Sequence, residues 1–342
     1  MALSEKEEKI LESIVVPSEN DPHKPEFPPD NPKFPATPIY KIDVPGFSNV
    51  WLKDESVNPT GTHKDRMAWE MVVTYRDFLL AKKIGQIKGP LPHMSIISSG
   101  SAAIAIQNQL RKYKLPNLKV LVDVDFIEPA LLKALEKMAC EIYETDLARK
   151  PLDWKEILIL TYNQNGFDIT SNEALDPTTR FYDWMSYEII NNSPDYIFIP
   201  FGTGNLYENV LNITKKETST EIHDPRFKGD IRILRNCDFL GATTNNPKSK
   251  ADKLYSPHLP FVHYDEQWIK FYRQAGFCGL ESGVHLIREE FLDRAMEMAE
   301  SQGVNCEYSG IAGLALMLQM KNNLPRNKKM LIVNTGKTKI PI

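Results

Sequence analysis

Between Val50 and Arg66 the chain has to pass from a strand through a tight turn into a helix. Val50, Trp51 and Leu52 are apolar or aromatic and read as a strand. Asn58-Pro59 and Thr60-Gly61 are turn chemistry, because proline holds φ and glycine accepts positive φ. Thr62 can then cap a helix that begins near His63 and runs through Met67, Ala68 and Trp69. Lys64 therefore falls in a first helical turn, where the partial positive charge of the helix end disfavours another cation. That placement favours the neutral amine, the form that attacks a carbonyl. The plainer alternative is a solvated surface lysine flanked by Asp65.

The same succession of buried strand, small-residue turn and helix returns further along. Met94–Ile97 is a strand, Ser98-Ser99-Gly100-Ser101 a turn, and a helix follows through Leu110. Backbone N–H groups at such a turn can form an anion site, although the hydroxyls can equally serve only as caps. Strand Val120–Val124, helix Pro129–Ala139 and short strand Glu141–Tyr143 form a parallel βαβ unit. After a helix over Thr179–Asn191, strand Asp195–Pro200 ends in Phe201-Gly202-Thr203-Gly204-Asn205, which opens another helix. A glycine-bearing turn there suits a phosphate, but it is neither GxGxxG nor a Walker lysine loop, so a nucleotide is not indicated. Toward the end come strand Val284–Ile287, an amphipathic helix over Glu289–Gln302, and the small-residue segment Cys306–Gly313 that begins a helix. Strand Met330–Asn334 then leads into Thr335-Gly336.

The remaining stretches bound the answer. Residues 4–16 read as a helix, residues 17–37 carry seven prolines and read as an extended arm, and residues 245–258 read as an exposed loop. With 342 residues, 42% hydrophobic and 25% charged, the chain has room for two domains. A net charge of −4 gives no basic footprint for nucleic acid. The absence of a long apolar run argues against a membrane span, and an N-terminus without an apolar core argues against a secretory signal. The four cysteines are far apart and form no CxxC pair, so no metal site is expected and a reducing cytoplasm fits.

Four of these segments stand in a fixed order: NPTGTHKDR at 58–66, SSGSAA at 98–103, GTGN at 202–205, and CEYSGIAGLA at 306–315 with NTG at 334–336. Together they resemble the fold-type II pyridoxal-phosphate enzymes, the family of threonine synthase, cysteine synthase and the tryptophan synthase β-chain. The resemblance covers about residues 36–339. Its most specific part, the NPTG-x-x-KDR segment, is most similar to threonine synthase. The resemblance implies pyridoxal 5′-phosphate as cofactor, in Schiff-base linkage to Lys64. It implies that Gly202, Thr203, Gly204 and Asn205 hold the phosphate and that Thr335 meets the pyridine nitrogen. His63 joins the cofactor-binding residues because the His63-Lys64 pair is similar to that of the tryptophan synthase β-chain. Ser98, Ser99, Gly100 and Ser101 would receive the substrate carboxylate, with Ser101 also facing the cofactor's 3′-oxygen.

The expected fold is α/β, with two open, mostly parallel three-layer sandwiches and the cofactor in the cleft between them. A large cofactor-binding domain is expected over 1–57 and 172–342, and a small substrate-loop domain over 58–171. The expected function is a lyase or transferase acting on a small amino acid by β-elimination or β-replacement, as a homodimer with no nucleic-acid or membrane partner. Within the class, the alternative is γ-replacement of the threonine synthase kind, which needs a second anion site. Outside it stand a cofactor-binding homologue without turnover, and a sugar-phosphate or nucleotide enzyme that would have no use for Lys64. This chain departs from the family pattern where Ser101 replaces the usual Asn, where the phosphate loop has fewer glycines, and where the terminal segment reads NTGKTKIP.

Overall fold

The structure is a computed structural model that describes residues 3–15, 36–98, 100–123, 127–147, 152–170, 181–255 and 266–340. Nearly all of the expected proline-rich arm over 17–37, and Ser99, lie outside the described residues. The chain runs α1 (Glu5–Ser13), β1 (Ile39–Lys41), β2 (Val50–Asp54), α2 (Lys64–Lys83), β3 (Met94–Ile97), α3 (Ser101–Lys112) and β4 (Lys119–Asp123). Then follow α4 (Pro129–Lys137), β5 (Glu141–Thr145), α5 (Trp154–Leu160), β6 (Phe167–Asp168), α6 (Asp183–Ile190), β7 (Tyr196–Pro200) and α7 (Asn205–Ser219). The last elements are α8 (Ile231–Leu234), β8 (Asp238–Thr243), α9 (Glu266–Gln274), β9 (Gly283–Leu286), α10 (Glu289–Ser301), α11 (Ala312–Met320) and β10 (Met330–Asn334).

Two compact units divide the chain, one of residues 1–35, 64–177 and 339–342, the other of residues 36–63 and 178–338. The second unit holds a six-stranded sheet in the order β1-β2-β10-β7-β8-β9. Only β1 runs antiparallel, against β2. Its central strand β10 is buried at every position, as a parallel strand covered on both faces must be. Helix α11 is buried from Ala312 to Leu318, and its apolar face shares one core with Phe198 of β7, Leu240 of β8 and Ile332 of β10. The edge strands are β1 and β9, and Leu286 of β9 is exposed.

The first unit holds a four-stranded sheet in the order β5-β4-β3-β6, with all its pairs parallel. Strand β4 is buried throughout and sits inside the sheet, whereas the edge strand β5 is half-exposed. Helix α2 is buried continuously from Asp65 to Val72, so its first turns are enclosed on all sides. Capping boxes start α1 at Ser4 and Glu7 and α5 at Asp153 and Glu156. The α/β class and the two mostly parallel sheets agree with the expectation from sequence. Strands β6 and β8 and helices α5, α8 and α9 are additions to the elements expected from sequence.

Candidate active site

In the second unit, strand order gathers the expected residues. Strands β2, β10 and β7 are parallel neighbours, so the turns at their carboxyl ends lie side by side. Those turns carry residues 55–63, Thr335-Gly336 and 201–204. Ligand sites in open parallel sheets form at this edge.

The first two turns are stitched together. Glu55 N donates to Asn334 O at 3.0 Å, and Asn334 Nδ2 donates to Asp54 Oδ1 at 3.0 Å. Thr62 forms an isolated β-bridge with Gly336, and Lys337 N donates to Gly61 O at 2.9 Å. Gly336 has φ +96°, and a Cβ there would stand 2.1 Å from Gly61 O. No side chain fits in that gap, so glycine is required by space as well as by backbone. His63 N donates to Thr335 O at 3.1 Å, and His63 Nδ1 lies 3.4 Å from the same oxygen, a donor position because a carbonyl only accepts. The His63 ring is also 5.3 Å from that of Tyr182, tilted by 34°. Thr335 N donates to Gly310 O at 3.0 Å. The backbone N–H and C=O of Thr335 are thus both used, and its hydroxyl is the polar group it can present. Lys64 follows His63 directly and opens α2.

Beneath the turn lies a buried charge cluster that the sequence reading missed. Lys53 and Glu55 side chains are fully buried and 3.2 Å apart, and Lys53 Nζ also pairs with Glu188 of α6 and donates to Thr37 O at 2.9 Å. Thr37 Oγ1 donates to Glu55 Oε1 at 2.5 Å. The other Glu55 oxygen accepts from Asn58 Nδ2 at 2.8 Å, and that amide also donates to Thr62 O at 3.2 Å. One carboxylate therefore ties the cluster to the turn that leads to Lys64. Removing a partner from such a cluster costs about 3–5 kcal/mol, because it strands a buried charge. The available signal was Lys53-Asp54-Glu55, three charges closing an apolar strand.

Residues 201–204 form the turn between β7 and α7. Gly204 has φ +86° and precedes α7, whose first residue is Asn205. Asn205 Oδ1 is buried and has no hydrogen-bond partner among the described residues. The expectation of an exposed loop over 245–258 holds only in part. Asn245 to Lys248 are exposed, but Ser249, Ala251 and Leu254 are buried, and residues 256–258 lie outside the described residues. A Cβ on Gly202 would stand 2.9 Å from Lys253 O, so this loop packs directly on the glycine turn.

Ser98, Gly100 and Ser101 stand in the first unit, at the carboxyl end of β3. Ser98 Oγ accepts from Gly100 N at 3.0 Å and from Ala103 N at 3.3 Å, so its hydroxyl caps the turn. Ile97 N donates to Thr170 Oγ1 at 2.7 Å, which fixes the strand end just before the turn.

No curated protein sequence matches the chain. Among solved structures, O-ureido-L-serine synthase is similar with a TM-score of 0.64 and 17% identity, over 88% of this chain and 89% of that one. A hydrogen sulfide-producing enzyme from Fusobacterium nucleatum is similar with a TM-score of 0.58 and 19% identity, over 89% and 94%. An O-acetylserine dependent cystathionine beta-synthase from Helicobacter pylori is similar with a TM-score of 0.55 and 16% identity, over 88% and 92%. At these identities the likeness speaks for the fold. The profile of the pyridoxal-phosphate dependent enzymes matches residues 34–336, nearly the whole chain and every segment of the site just described, and the chain belongs to that family.

Proposed function

We propose that the protein is a lyase or transferase that acts on a small amino acid by β-elimination or β-replacement. The observation that carries this reading is Thr335, a neutral hydroxyl residue pinned by its backbone to His63, beside Lys64. The residues present fit the cofactor. Asn205 brings a buried amide oxygen without a partner to the start of α7, and rotation of that amide puts a donor in its place. The backbone amides of 202–205 and the helix end suit a dianionic phosphate.

When bound, pyridoxal phosphate supplies the electron sink that lets an amino acid lose its α-proton and a β-substituent. Lys64 is assigned as the residue that would carry the cofactor and whose free amine would hold the substrate's α-proton at Nζ. Thr335 would meet the pyridine nitrogen with a hydroxyl, which would not hold a proton there as a carboxylate does; such a partner would favour loss of a leaving group from Cβ. The 98–101 turn is assigned to the substrate carboxylate, with Ser98 Oγ holding its shape through Gly100 N and Ala103 N. Three names among the similar structures, a serine derivative's synthase, a sulfide producer and a cystathionine synthase, support chemistry at Cβ. The four free cysteines support a reducing compartment such as the cytoplasm, and no described helix is long and apolar enough to cross a membrane.

The test is to mix the purified protein with pyridoxal phosphate and then with serine, O-acetylserine, cysteine or threonine. The cofactor band should shift with at least one amino acid, and a keto acid or a β-substituted product should accumulate. A band that responds to none of them, with no product, would favour a cofactor-binding protein without turnover.

A further inference from the structure

Lys253 touches several segments that frame the expected phosphate loop. It sits in a single helical turn, Asp252–Leu254, anchored on either side by buried Ala251 and Leu254. Its carbonyl is the floor under Gly202, since a Cβ there would stand 2.9 Å away. Its backbone N–H donates to Ser309 Oγ at 3.1 Å. Its side chain turns inward, with Nζ 2.5 Å from Glu307 Oε2 and donating to Thr338 Oγ1 at 3.4 Å. The two charged side chains are 20% and 23% exposed, so the pair is mostly withdrawn from water. Thr338 lies just beyond Thr335, and Glu307 and Ser309 lie just before Gly310, whose carbonyl holds Thr335 N.

We propose that Lys253 is a positioning residue for the phosphate loop, locking its glycine turn to the 307–310 and 335–338 segments. This rests on the cofactor reading above and adds a residue to it. The physical argument concerns backbone placement. Glycine amides bind a phosphate well only when they are already aimed at it, because aiming them on binding costs order. The 252–254 turn sets Gly202 from below, and the Lys253–Glu307 pair keeps that turn against the sheet edge. Neutralising Lys253 frees the turn, and the loop loses its set. The aldehyde end of the cofactor, which goes to Lys64, does not depend on this contact. The effect should therefore depend on the phosphate.

The experiment uses the full-length protein stripped of cofactor, titrated separately with pyridoxal phosphate and with pyridoxal, with binding read by absorbance. Lys253→Met should bind pyridoxal phosphate about tenfold more weakly, the change that ~1.4 kcal/mol makes, while its affinity for pyridoxal changes less than about twofold. Glu307→Gln should shift binding the same way, and the double variant should lose no more than the worse single one, as residues acting through one pair do. Lys253→Arg, which keeps charge and donors, should recover most of the affinity. A variant that weakens both ligands equally, with a lower melting temperature, would show a merely structural lysine and overturn the proposal. So would unchanged affinity for pyridoxal phosphate in both single variants. If Lys253→Met does not fold, Glu307→Gln carries the test alone. Should the wild type bind neither ligand, the cofactor reading itself falls, an outcome distinct from either of these.

Discussion

Ser101 opens α3 where the family pattern has asparagine, and its side chain is shorter by about one bond. A water can bridge what the shorter side chain does not reach. Ser101→Asn is expected to keep the cofactor, to move the pH midpoint of its absorbance band, and to raise elimination from serine by about fivefold, the worth of one hydrogen bond of ~1 kcal/mol. A pH titration of the band with a pyruvate assay on both proteins checks this, and identical titrations would sink it. A second residue governs stability without belonging to the site. Burial pushes Asp183 up to about 6, against the pull of Asn209 and Arg226. The folded protein then holds a proton on Asp183 that the unfolded chain has released, so stability falls as pH rises from about 4 to 6. Asp183→Asn keeps an acceptor for Asn209 Nδ2 and removes that penalty. It should add about 2–3 kcal/mol above pH 6 and close to nothing near pH 4, as read by urea unfolding at both values.

At the scale of elements, the site is a matter of strand ends. Strand β10 lies between β2 and β7 in one register, with Met330 opposite both Val50 and Tyr196. Its end therefore borders both the turn before Lys64 and the loop before α7. Gly336 is where the packing of these turns is tightest. Its Cβ would strike Gly61 O, and a Cβ on Gly310 would stand 2.2 Å from Gly336 O. Gly336→Ala combines a strained φ with a wedge between two backbones, so it should cost about 2–5 kcal/mol. It should also displace Thr335 relative to His63. The checks are chemical denaturation and the colour of the purified variant. A variant as stable and as yellow as wild type would show that this contact carries no weight.

For the whole molecule, cofactor binding and folding are linked, because the two turns proposed to hold the cofactor, before Lys64 and before α7, become neighbours only once the sheet has formed. Pyridoxal phosphate at a hundred times its dissociation constant should add about 2.7 kcal/mol and raise the melting temperature by about 4 °C. Lys64→Ala should lose the yellow band and most of that shift, and a full shift in the variant would place the cofactor elsewhere. Much of this was legible before any coordinates. Proline, glycine and hydroxyl residues in Asn58–Thr62, Gly202–Asn205 and Asn334–Gly336 dictate turns by their own backbone preferences, and the buried strands Tyr196–Pro200 and Met330–Asn334 declare themselves by unbroken apolar runs. These are local properties, so the sequence by itself determined the α/β class, the turns and the lysine at a helix start. It could not determine which turns become neighbours. Asn334 reaches Asp54 across 280 residues of chain, Lys53 finds Glu188 across 135, and Lys253 finds Glu307 across 54. Such pairings depend on strand order and on burial of charge within a packed core, and neither is encoded in any short window. For the same reason the stretch over 245–258 that reads as an exposed loop packs in part, through Lys253, against the Gly202 turn: only the tertiary structure decides which polar groups are left facing one another once water has been removed.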